Sequence, residues 1–240
     1  MKPTDEKEEL MRIGIIGAGN IGGTLAKRLS QIGHEVEVAN SRGPDTLREL
    51  EAETGARAVD AKDAVRAKDV VVVTVPERSV PELPSELFDG VDGTVVVDTG
   101  NYYPRQRDGR IAEIEEGTPE SRWVERRIGH PVVKAFNNIY AQHLLEAGRP
   151  AGVPDRIALP VAGDDGTSKA VVMELIDELG FDAVDAGSLD ESWRQQPGTP
   201  VYTADLDAER LRLALAEANP ERSDEFRATE GSPGSFEAPR

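Results

Sequence analysis

Residues 11–22 read MRIGIIGAGNIG, a short apolar run that stops on a cluster of glycines and restarts as an amphipathic helix. Ile13, Ile15 and Ile16, with few polar interruptions, suit a strand buried on both faces of a parallel sheet, where the usual alternation is lost. Gly17, Gly19 and Gly22 have the G-x-G-x-x-G spacing. In that pattern the first glycine permits a tight turn, the second lets backbone approach a pyrophosphate, and the third lets helix and strand pack closely. Over residues 20–32, Ile21, Leu25, Leu29 and Ile32 fall on one helical stripe. The start of such a helix aims unpaired N–H groups and the positive end of its dipole at the turn, so Gly17, Ala18, Gly19, Asn20 and Ile21 are expected to hold an anion. Glycines at this spacing also occur in plain turns. The strand before them and the helix after favour a dinucleotide.

The next strand signal, EVEVAN at residues 35–40, ends where such a cofactor is chosen. An acidic residue there accepts hydrogen bonds from both ribose hydroxyls and repels a 2′-phosphate. This chain has Asn40, Ser41 and Arg42 instead, then Gly43 and Pro44 placed for a helix start. A neutral side chain, a hydroxyl and a guanidinium make a phosphate pocket, so NADP(H) is expected over NAD(H).

The 240 residues suffice for one large core with a small appended lobe, and the formal charge of −17 argues against nucleic acid as a partner. The chain has no cysteine and three histidines, which disfavours disulfides, thiolate chemistry and a metal site. No apolar run approaches the roughly 20 residues needed to cross a bilayer, and MKPTDEKEEL lacks the apolar stretch of a signal peptide. A cytoplasmic protein with no membrane partner is the expectation.

Strand and helix signals alternate to about residue 187, the pattern of a doubly wound parallel sheet, an α/β fold of the NAD(P)-binding Rossmann type with a small C-terminal α/β lobe. The organisation expected is a disordered tail at 1–10, a nucleotide-binding domain at 11–150, a lobe completing an acceptor cleft at 151–219, and a second disordered tail at 220–240. Residues 79–88 read as a helix interrupted by Pro81 and Pro84, and 100–129 as a long polar insertion. Residues 132–136 read as the sixth strand, with a helix running on to Ala147.

The runs IGIIGAGNIGGTLAKRL, ANSR, DVVVVTVP (69–76), VVVDTGN (95–101) and VVKAFNNI (132–139) together resemble the deazaflavin-dependent NADP reductases. The resemblance covers about residues 11–163. It implies hydride transfer between NADPH and a deazaflavin coenzyme lying against the nicotinamide, with Thr74, Val75 and Pro76 passing beneath the nicotinamide ribose. The family commonly has His where this chain has Asn137. The proteins expected from it act on a small-molecule redox acceptor, and a homodimer is the expected assembly.

Because ligands of open parallel sheets bind outside the carboxyl ends of the strands, the loops there carry the candidates. Asn101 can hold a ribose or carboxamide, or cap a turn. Asn137, Asn138 and Ile139 follow the sixth strand as acceptor-site candidates, although Asn137 can equally cap a helix. Lys134 and Asn138 also have the K-x-x-x-N spacing of the β-hydroxyacid dehydrogenases, where Lys is the acid/base, but there the pair lies on a helix. They stand as the catalytic candidates. Trp193 and Gln196, in SWRQQPGTPVY at 192–202, offer an aromatic face and amides suited to a lid over a flat ring or to a subunit interface. His130 falls at a strand start, on the wrong edge. The alternatives to a deazaflavin reductase are an NADP-dependent reductase of a small carbonyl or imine, and a non-catalytic NADP(H) sensor whose cleft would be filled by Trp193 or Tyr202.

Overall fold

The computed structural model describes residues 10–230, 232 and 234. Six parallel strands, β1 (Arg12–Ile16), β2 (Glu35–Ala39), β3 (Arg57–Ala58), β4 (Val70–Val73), β5 (Val95–Asp98) and β6 (Val133–Lys134), form one sheet in the order β3-β2-β1-β4-β5-β6. That order reverses beside β1, which leaves a crevice at the switch point. The strands are apolar throughout because both faces are covered. Ile13, Ile15, Val70, Val72 and Val97 pack on one side, and Ile16, Val71, Val73 and Val96 on the other.

Helices α1 (Asn20–Gln31), α2 (Arg48–Thr54) and α3 (Ala61–Val65) make the first crossovers. The expected interrupted helix at 79–88 is instead a 3₁₀ stretch, Glu77–Glu82, consistent with Pro81 removing a backbone donor. The polar insertion carries two helices, α4 (Ala112–Glu115) and α5 (Glu120–Ile128). Trp123, Val124 and Ile128 of α5 are buried against the sheet, so this segment is core as well as loop. After β6 the chain turns at Phe136, whose φ is 61°, and α6 (Ala141–Glu146) starts only after Tyr140. Asn137 is therefore not its cap.

A second, two-stranded parallel sheet holds β7 (Ala158–Val161) and β8 (Asp182–Asp185), with α7 (Gly166–Glu178) between them and α8 (Ala208–Glu217) beyond. Ala162, next after β7, bridges antiparallel to Lys134 of β6 and joins the two sheets. Arg28, in the last turn of α1, clamps the same junction. Its guanidinium donates to the carbonyls of Leu145 at 2.7 Å and Leu144 at 3.2 Å, and to that of Leu179 just past α7 at 2.7 Å. These are helix-end carbonyls with no intrahelical partner. Gly148 lets them meet, since a Cβ there would lie 2.5 Å from the Leu179 carbonyl.

Residues 220–230, read from composition as the start of a disordered tail, lie against the body. Arg222 reaches Glu120 at 2.6 Å, and the Ala228 N–H donates to Glu115 at 2.9 Å. Most of residues 1–10, and residues 231, 233 and 235–240, lie outside the described residues.

The Arg28 clamp yields a prediction. Arg28→Met strands three carbonyls at a packed junction and should cost about 2–3 kcal/mol, hydrogen bonds to a charged donor contributing about 1.5–3 each before rehydration. Urea unfolding should show a lower midpoint at unchanged slope, and an unchanged midpoint would refute the clamp.

Candidate functional site

The sheet register places one row of residues across its carboxyl edge. Ile16 of β1 pairs with Ala39 of β2 and Val73 of β4, Val73 pairs with Asp98 of β5, and Asp98 with Lys134 of β6. Everything just beyond that row therefore emerges together: the glycine turn, Asn40 to Arg42, Thr74 to Pro76, Asn101, and Asn137 to Ile139.

Within the glycine turn the three jobs separate cleanly. Gly17 has a φ of 111°, and its carbonyl accepts from Thr74 Oγ1 at 2.7 Å. A Cβ on Gly22 would lie 2.0 Å from the Gly17 carbonyl oxygen, so only glycine lets α1 start this close to the β1 turn. A Cβ on Gly19 would meet nothing within 4 Å, so this backbone faces open space. No side chain caps the start of α1, and no acid sits in its first turn. The helix end is left for an anion.

At the tip of β2, Asn40 holds the turn, its Oδ1 accepting from the Arg42 N–H and its Nδ2 donating to Thr46, both at 2.9 Å. Ser41 and Arg42 are exposed. Among the described residues no side chain is hydrogen-bonded to the Arg42 guanidinium, whereas Arg48 nearby is paired with Asp45 at 2.6 Å. The carboxyl edge thus offers open backbone at the glycine turn after β1 and an exposed guanidinium after the neighbouring strand β2. Both features fit NADP(H).

The other half of the row is a buried ionic cluster that the sequence reading missed apart from Lys134. The Lys134 ammonium, fully buried, donates to Asp98 Oδ2 at 3.0 Å and to the Gly100 carbonyl. Asp98 also accepts from Ser121 of α5 at 2.6 Å and from the Gly100 N–H at 2.9 Å. Glu77, buried beside them, pairs with Arg107 at 3.2 Å, and Glu120 with Arg222 at 2.6 Å. Burial, with Asp98 and Glu120 nearby, holds the Glu77 carboxyl well above the usual carboxylate range. Lys134, despite burial, is held above the usual lysine range by the surrounding acids, Asp98 foremost. It is a buried cation with two of its three N–H donors committed, to Asp98 and to the Gly100 carbonyl. The only early signal for this cluster was the acid that ends the apolar run VVVD.

Asn137 knots three segments. Its Nδ2 donates to Asn101 Oδ1 at 3.0 Å and to the Gln195 carbonyl at 2.7 Å, and its Oδ1 accepts from Gln195 Nε2 at 2.9 Å. Asn101 Nδ2 returns a bond to the Asn137 carbonyl at 2.9 Å. Asn137, Asn138 and Ile139 are each 4 % exposed, and Asn138 Oδ1 is buried without a hydrogen-bond partner. Trp193 and Gln196 are not brought to this knot. They line a cavity of about 570 Å³ that is also walled by the α4–α5 turn and residues 219–223. His130 lines a cavity at the opposite, amino edge of the sheet, and His143 pairs with Asp205 at 2.5 Å.

Two stability predictions follow from this cluster. Lys134→Met leaves Asp98 buried without its cation and should cost about 3–5 kcal/mol in denaturant unfolding, with Lys134→Met/Asp98→Asn costing less than Lys134→Met alone. A raised carboxyl pKa means the folded state keeps a proton that the unfolded state loses, so Glu77 contributes stability that is lost as pH rises above the ordinary carboxylate range. Glu77→Gln should flatten that loss. Identical pH profiles of melting temperature in the two proteins would contradict it.

Residues 12–102 match the family described as NADP oxidoreductase, coenzyme F420-dependent. An F420-dependent NADP reductase of Methanothermobacter thermautotrophicus is 29 % identical over 210 residues, 81 % of this chain and 89 % of that protein. A solved hypothetical protein of Sinorhizobium meliloti is 32 % identical, with a TM-score of 0.71 over 82 % of this chain and 95 % of that one. The metalloreductase STEAP3 of Rattus norvegicus is 31 % identical over 76 % of this chain, which spans only 35 % of that protein's length. The chain likewise spans 48 % of YjhV of Escherichia coli. No helix among the described residues is long and apolar enough to cross a membrane. With its six-stranded sheet and open glycine turn, the chain is similar over residues 12–102 to the coenzyme F420-dependent NADP oxidoreductases, and this stretch holds β1 to β5.

Proposed function

We propose that this protein is an NADP-dependent oxidoreductase that moves hydride between the nicotinamide and a flat redox ring, a deazaflavin coenzyme being the acceptor it fits best. The observation that carries the reading is the carboxyl-edge row. It sets an open backbone at Gly19 and an exposed Arg42 at one end, and at the other amides whose neighbouring acids, Glu77, Asp98 and Glu120, are buried against Arg107, Lys134 and Arg222. When bound, NADPH supplies a hydride with its two electrons. The chain's own part is placement: Gly17, Ala18, Gly19, Asn20 and Ile21 hold the pyrophosphate, Ser41 and Arg42 the 2′-phosphate, and Thr74, Val75 and Pro76 underlie the nicotinamide ribose. Asn101, locked by Asn137, fixes the loop that faces the ring.

Hydride transfer to a conjugated ring relies on positioning, whereas a carbonyl or imine develops charge that calls for a proton donor. Lys134, committed to Asp98 and Gly100, is assigned to holding this edge rather than to acid/base work. The relatives named as F420-dependent NADP reductases support the deazaflavin reading. One observation favours the sensor instead: Tyr202 lies in the cover over Asn138, its neighbour Thr203 donating to the Asn138 carbonyl at 2.8 Å.

The test is oxidation of NADPH by purified protein with deazaflavin, flavin and quinone acceptors in turn. Turnover with the deazaflavin is expected, and none with any acceptor would leave the sensor. Arg42→Ala should weaken NADPH binding by about 1.5–3 kcal/mol in calorimetry and leave NADH untouched. Equal NADPH and NADH affinity in the parent would remove the phosphate pocket. Glu77→Gln should lower turnover less than tenfold, and a thousandfold loss with NADPH still bound would move the protein to carbonyl or imine reduction.

A further inference from the structure

The acceptor-side residues Asn137, Asn138 and Ile139 are almost fully covered, so a ring cannot reach them unless something moves. The cover is aromatic. Tyr103, two residues after Asn101, contacts Tyr202 hydroxyl to hydroxyl, and Phe226 packs at 6.1 Å from the Tyr103 ring and 6.5 Å from that of Tyr202. Phe226 is carried by residues 219–230, which cross the surface after α8 with only a three-residue 3₁₀ turn, Asp224–Phe226, as regular structure. Most of this stretch is exposed, and only Arg222, Phe226 and Ala228 turn partly inward.

Its seat is poorly satisfied. Arg222 Nη2 reaches Glu120 at 2.6 Å and Gln196 Oε1 at 3.1 Å, yet Arg222 Nη1, Gln196 Nε2 and Glu120 Oε2 are buried with no partner among the described residues. Each such atom costs free energy that water would restore on opening. The cavity of about 570 Å³ lies directly beside the segment, with Arg222, Ser223 and Arg227 in its wall. A segment with few apolar anchors and unsatisfied polar atoms sits at the low-stability end of a fold, where lids are drawn from.

We propose that residues 219–230 form a strap over the acceptor end of the cleft, latched by Arg222 on Glu120 and plugged by Phe226, that lifts to expose the nicotinamide side. The inference rests on the nicotinamide reading above. In the closed state Phe226 sits against the rings of Tyr103 and Tyr202, beside the contact in which the Thr203 N–H donates to the Asn138 carbonyl. In the open state water reaches the Glu120 and Gln196 atoms that the closed seat leaves bare.

The chain has no cysteine, so one disulfide can lock the strap without side reactions. A Cβ on Gly198 would lie 2.9 Å from Ser223 Oγ, within reach of a bridge between Gly198→Cys and Ser223→Cys; because Gly198 has a φ of 89° and the new Cβ would also lie 3.0 Å from the Phe226 ring, the reduced pair, which carries the same strain, is the reference. The probe is acrylamide quenching of the fluorescence of bound NADPH, which reads access to the nicotinamide with no acceptor present, followed by deazaflavin-dependent turnover. The oxidised pair should bind NADPH within twofold of the reduced pair, be quenched at least threefold less, and turn over at least tenfold more slowly, with recovery on reduction. Phe226→Ala in the cysteine-free chain should raise quenching at least twofold. NADPH that binds but is equally open to acrylamide in all these forms overturns the strap alone. Failure of NADPH to bind the parent chain overturns the nicotinamide reading and the strap with it.

Discussion

A lysine ammonium with no exposure to water is costly unless every neighbour is arranged for it, and Lys134 organises the carboxyl edge on those terms. Its Nζ ties Asp98 to the Gly100 carbonyl, which sets the turn leading to Asn101. Its backbone exchanges two hydrogen bonds with Ala162, at 2.8 and 3.1 Å, and so carries the second sheet. Asp98, fixed by that ammonium, in turn holds Ser121 and with it α5. One buried cation thus sets the relative positions of the last two strands, the insertion and the C-terminal lobe, which are the parts that surround the acceptor side.

The same constraint explains why so many charged side chains are found where the core should be dry. Glu77, Asp98 and Glu120 are buried with Lys134, Arg107 and Arg222 against them, each acid facing a base. The pairs are not equivalent. Lys134 donates to Asp98 and the Gly100 carbonyl, and both Asp98 oxygens accept, from Lys134, Ser121 and the Gly100 N–H, while Glu77 Oε1 and Glu120 Oε2 have no donor among the described residues. Of these two atoms, Glu77 Oε1 lies beside Gly100 and Asp98 at the end of β5, while Glu120 Oε2 belongs to the carboxylate that Arg222 of the C-terminal segment reaches. A fold with a fixed floor and a loosely seated cover is the arrangement that holding one ring in place while admitting another requires.

How much of this could be read in advance follows from the range of the interactions. The strands, their apolar character on both faces and the glycine turn are local or nearest-neighbour features, and residues 11–22 and 35–42 carry them openly. The turn also depends on Thr74, but Gly17 and Gly22 signal a close approach whatever approaches them. The ionic cluster is different in kind. Glu120 and Arg222 are 102 residues apart, and neither carries a local mark of burial. Asn137 looked like a cap because Asn often is one. The positive φ of Phe136 redirects the chain and leaves the side chain free to knot Asn101 to Gln195. Residues 220–230 have the composition of a tail because only three of their side chains turn inward, too few for any periodicity to register.

A net charge of −17 is opposed to the binding of a polyanion such as the proposed dinucleotide, and distance resolves the conflict. At physiological ionic strength exposed charges are screened within about 8 Å, so most of the acidic surface contributes little at the β2 tip. What acts there is local. Asp45, the acid nearest in sequence, is taken by Arg48 at 2.6 Å, Asn40 replaces the carboxylate that would repel a phosphate, and α1 begins with no acid in its first turn. The 2′-phosphate proposed at Arg42 would therefore meet a guanidinium to which no carboxylate is bonded among the described residues. On the proposed reading, three positions after β2, Asn40, Ser41 and Arg42, and not the overall acidity, set which dinucleotide the protein prefers.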